Sequence, residues 1–155
     1  MQKGTFMSAG TGVVHSEFNH RKEEPVKLLQ IWVIPERENV KPRYAQRSFA
    51  VENRQDKWEL VVAPFADDKF TESEEGALFV HQQTYFSLAN LSAGKKLEYR
   101  VRNKNHGVYF FLISGVLTVA EETMSTRDGL GVFDSESLEL VAQTDSEILA
   151  IEVPA

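Results

Sequence analysis

A histidine and a glutamate stand two residues apart in GTGVVHSEFN, residues 10–19: His15 and Glu17. Imidazole and carboxylate are common protein donors to a divalent metal ion. On a strand, residues i and i+2 share a face about 7 Å apart along the chain, so the spacing predicts one strand aiming both groups at one ion. A well-formed site needs three or four protein donors. His20 in NHRKEE reads as solvent-exposed loop, His81 in LFVHQQTYF as a satisfied sheet histidine, and His106 in NKNHG as a turn residue ahead of a hairpin. The acidic ESEEG, residues 72–76, lacks the spacing of a calcium loop and reads as solvated surface. The chain has no cysteine, which excludes thiolate ligation, thiol catalysis and disulfides. There is no Gly-x-Ser-x-Gly elbow, and the GTG of residues 10–12 is not set in a strand–loop–helix unit that could cradle phosphate.

The elements that must position these residues read as short strands. KLLQIWVIP, residues 27–35, is a continuous apolar run that predicts a strand buried on both faces, with Pro25 just before it and Pro35 at its end. WELVVAP from Trp58 and ALFVHQQTYFSLANL from Ala77 continue the theme. KLEYRVRN alternates, with Leu97, Tyr99 and Val101 on one face and Glu98, Arg100 and Arg102 on the other, as a half-buried strand does. GVYFFLISGVLTV from Gly107 is broken by Gly115, a hairpin turn or bulge. Its aromatics Tyr109, Phe110 and Phe111, and Phe133 further on, are core candidates. LELVA and EILAIEVP finish the chain as two more strands. NLSAGKK, NKNHG and STRDGLG are turn clusters, and ADDKFTESEEG, residues 66–76, is an acidic loop. Residues 36–49 form the longest patternless stretch and the best candidate for a segment boundary. No helical periodicity persists, so the fold class is all-β, a sandwich or a barrel.

At 155 residues the chain suffices for one domain with a real core. Its net charge of -6 argues against a nucleic-acid surface. No apolar run is long enough to span a bilayer, and MQKGTFMSAG lacks the apolar stretch of a secretory signal. The expected location is cytoplasmic.

MSAGTGVVHSEFN, EEPVKLLQIWVIPE and PRYAQRSF, followed by VHQQTYFSLANL, SGVLTV, DGLGVFD and DSEILAIEVP, resemble the pirin family over essentially the whole chain. The early motif is distinctive and the later matches are more diffuse. The resemblance implies a bicupin ancestry: two jelly-roll-like β-barrels packed face to face. It also implies quercetin 2,3-dioxygenase-type chemistry in some bacterial members and transcriptional co-regulation in animals. In that family the N-terminal cupin holds iron through three His and one Glu. Two of those His come from a His-x-His on an earlier strand, and the remaining His and Glu correspond here to His15 and Glu17. Met1 lies downstream of where that His-x-His would stand. The expectation is therefore residues 1–36 as closing strands of an N-terminal cupin and residues 37–155 as a complete C-terminal cupin. The family's C-terminal cupin is generally metal-free, and here Gly94 to Gly115 contains only His106 and Glu98 as donors.

Three functions follow as alternatives. The first is a pirin-like single cupin with an incomplete metal site at His15 and Glu17, inactive alone and without a tightly bound cofactor. The absence of two metal-binding ligands should weaken such a site by about 3–5 kcal/mol or more. The second is a metal-dependent quercetinase whose ligands a second chain completes, with iron or another divalent metal and a flavonol-like substrate. The third is a small-molecule or protein binding module using an empty barrel. The apolar run over residues 26–35 adds a partner to the first reading: a homodimer through that stretch, because an uncovered apolar edge invites pairing.

Overall fold

Two apolar runs lie side by side in the middle of one sheet. They are β7 (His106–Ser114) and β12 (Ser146–Pro154), paired antiparallel. This computed structural model describes residues 2–65 and 76–155. In chain order the other strands are β1 (Gln2–Ser8), β2 (Arg43–Phe49), β3 (Glu59–Pro64), β4 (Leu78–Val80), β5 (Tyr85–Leu91), β6 (Lys96–Arg100), β8 (Val116–Val119), β9 (Glu122–Ser125), β10 (Gly129–Val132) and β11 (Ser137–Ala142). A 3-10 turn spans Val51–Arg54. The six-stranded sheet runs β10-β7-β12-β5-β3-β4, and the four-stranded sheet runs β6-β11-β8-β9. Beside them, β1 and β2 form an antiparallel ribbon. The result is the all-β, jelly-roll-like architecture expected, although its two main sheets do not merge into one continuous ladder.

Alternation along β7 and β12 explains their unbroken hydrophobicity. Phe110, Leu112, Ile148 and Ala150 face the core between the two main sheets, where they meet Leu117, Val119, Met124, Leu138 and Leu140. Phe111, Ile113, Leu149 and Ile151 face the opposite way, into a second core closed by Phe6, Ala45 and Phe49 of the ribbon. A strand covered on both sides has no polar face to display.

Several sequence expectations are corrected. Residues 27–35 do not form a strand: they join no ladder among the described residues, and of their side chains Val33 reaches the second core. Their hydrophobicity was read as burial, but among the described residues no strand pairs with them. The stretch read as patternless contains β2, whose burial alternates strictly from Arg43 to Phe49. Arginines on its half-buried side hid that alternation from a hydropathy reading. GLG of the STRDGLG turn cluster belongs to β10, paired with β7. Gly115 is no hairpin: it carries the chain from one main sheet to the other at φ 104, and a Cβ there would lie 2.3 Å from Ser146 Oγ. The tight hairpin is β8–β9, turned by Ala120 and Glu121, both at positive φ. Tyr109 and Phe133 are exposed rather than core, while Phe110 is fully buried. The acidic loop expected at 66–76 lies outside the described residues, Gly76 excepted.

Candidate functional site

His15 and Glu17 sit in a stretch without regular secondary structure, not on the strand their spacing predicted. A turn delivers the chain to them: Gly12 N–H donates to the Ala9 carbonyl at 2.8 Å. Gly10 packs so closely on Val40 and Pro42, at φ 54, that no side chain fits. The two side chains still approach one another, with His15 Nε2 at 4.0 Å from Glu17 Oε1, and both are half-exposed. At that distance in water the pairing is weak. Beyond them the chain turns through a polar knot in which Arg21 bonds Glu24 at 2.6 Å and the Asn19 amide donates to the Glu24 carbonyl; His20 is exposed there, as expected.

The family resemblance implies a metal ion, and the donor set does not fit one. Among the described residues no three His, Cys, Asp or Glu side chains converge on a common point. Two half-exposed donors supply neither the ligand count nor the enclosure of a resident metal site. His81 lies in the bend between β4 and β5, where its ring stacks against Phe65 at 5.0 Å and its carbonyl accepts from Glu36 N–H.

The most highly organised polar cluster lies elsewhere, and the reading of the sequence missed it. Glu152 is fully buried on β12. Its Oε1 accepts from the backbone N–H groups of Arg102 and Asn103, at 2.9 and 3.2 Å, and from His106 Nδ1 at 3.1 Å. Its Oε2 accepts from Tyr99 Oη at 3.0 Å. Thr84 Oγ1 donates to the Glu152 carbonyl at 2.6 Å. Against a carboxylate, which can only accept, His106 makes this bond in the tautomer with its proton on Nδ1. His106, expected in a turn, instead opens β7 and is buried. Burial, and next the Glu152 charge, hold the Tyr99 phenol well above its ordinary range. Strand parity would have found this cluster. Glu152 shares its parity with the core residues Ile148 and Ala150, Tyr99 with Leu97 and Val101, and His106 with Phe110 and Leu112.

The space between the main sheets is filled by apolar side chains such as Leu91, Phe110, Leu117 and Leu140. The empty barrel invoked for a binding module is therefore replaced by a packed core. A shallow polar groove of about 330 Å³ lies outside it, lined by residues including Arg47, Asn53, Lys57, Trp58 and Glu59. Its Glu59 Oε1 accepts from the Asn53 amide at 3.2 Å, and among the described residues no three metal donors meet there.

Two facing sheets, a packed interior and Gly-turned crossovers define a jelly-roll cupin. Residues 71–153 match the family described as the quercetinase C-terminal cupin domain, and residues 3–33 match the family described as pirin. The chain belongs to the pirin family. It is 35% identical over 149 residues to quercetin 2,3-dioxygenase of Escherichia coli strain K12, covering 96% of this chain and 59% of that protein. It is 34% identical over 147 residues to a putative quercetin 2,3-dioxygenase of Pseudomonas aeruginosa, covering 95% of this chain and 60% of the relative. The nickel(II) complex of the bacterial pirin YhhW from Escherichia coli matches with a TM-score of 0.67 at 28% identity, covering 79% of this chain and 48% of that one. The chain thus spans about three fifths of the length of these curated relatives.

Proposed function

We propose that this chain is a pirin-type cupin that is catalytically silent toward flavonols on its own and presents half of a metal site, His15 and Glu17. The observation that supports this reading is the pair itself: two donors 4.0 Å apart, half-exposed, without a third donor converging among the described residues. Oxidation of a flavonol by O2 at a metal needs a centre whose geometry the protein fixes and whose open positions take substrate. Elemental analysis after expression in iron-supplemented medium is expected to find well under one iron per chain. Oxygen uptake with quercetin is expected to match the protein-free blank. One iron per chain lost on His15→Ala, or turnover abolished by Glu17→Ala, would overturn the reading.

The names of the relatives favour a second reading, in which donors from a second polypeptide complete a quercetin 2,3-dioxygenase-type centre with iron or another divalent metal. That reading expects oxygen uptake to emerge only as chain concentration rises through the range of association, and to vanish in Glu17→Ala. Uptake absent at every concentration counts against it.

A further inference from the structure

We draw no further inference here: the strongest candidate, the shallow groove between β2, the 3-10 turn and β3, carries nothing, because the Glu59 carboxylate oxygen that lacks a hydrogen-bond partner among the described residues is closed off from solvent, out of a ligand's reach, while Ser48, Asn53 and Lys57 along the groove are ordinary surface side chains.

Discussion

Glu152 is a carboxylate inside a β-sandwich, stabilised because four donors reach it: two backbone N–H groups, His106 Nδ1 and Tyr99 Oη. Glu152→Leu leaves all four without an acceptor and is expected to cost about 3–5 kcal/mol, whereas Glu152→Gln, which keeps one accepting oxygen, should cost less, about 1–2 kcal/mol. Urea unfolding of the two variants checks the order, and equal losses would sink the argument. Tyr99 makes the cluster sensitive to alkali. Its phenol is held above the ordinary value of 10.0 by burial first and then by the Glu152 charge. The folded chain therefore keeps this proton more tightly than the unfolded chain. The corresponding stability is intact below about pH 10 and falls as pH rises from there toward the folded-state value. Unfolding measured from about pH 8 to about pH 11 should show a shallower alkaline decline in Tyr99→Phe than in the parent. Parallel slopes would mean that the phenol is not shielded.

Among the elements, the crossover at Gly115 is tightly constrained. The chain leaves one main sheet and enters the other there at φ 104, with Asp145 O 2.6 Å and Ser146 Oγ 2.3 Å from where a Cβ would stand. Gly94 also has positive φ, 77, but open space around it. Gly94→Ala should cost about 1 kcal/mol from backbone strain alone, while Gly115→Ala should cost about 3 kcal/mol or more, because it adds a clash with backbone. Thermal unfolding of the two proteins separates strain from crowding, and matching midpoints would refute the difference.

Among the described residues the two larger cores share one sheet, with a small third cluster at Ala63, Ala77 and Phe79. Phe110 is fully buried between the main sheets, and Phe49 is nearly so beneath the β1–β2 ribbon. Each Phe→Ala change is expected to cost about 3–5 kcal/mol. Amide exchange should distinguish them. Phe110→Ala lowers protection throughout β5, β7 and β12, whereas Phe49→Ala frees chiefly β1 and β2, which cover only one face of the shared sheet. Protection lost uniformly in both would mean that the ribbon and the sandwich unfold as one unit.

Strand alternation and turn chemistry are local, so the all-β class, the exposed charges on β6 and the strands at the end of the chain were legible in the residues themselves. So was the pirin resemblance, carried by GTGVVHSEFN and the apolar runs around it. Pairing is not local. That β2 lies against β1, that GLGV lies against β7, and that Gly115 changes sheets depend on which distant edge each strand meets. Hydrophobicity likewise states what a side chain would gain from cover and not whether cover exists, which is why residues 27–35 were expected inside and, Val33 apart, their apolar side chains stand outside. The carboxylate of Glu152 shows the converse: an acid that looks like surface is buried because backbone N–H groups from a loop fifty residues earlier in the chain satisfy it. Only the folded chain brings those donors within reach.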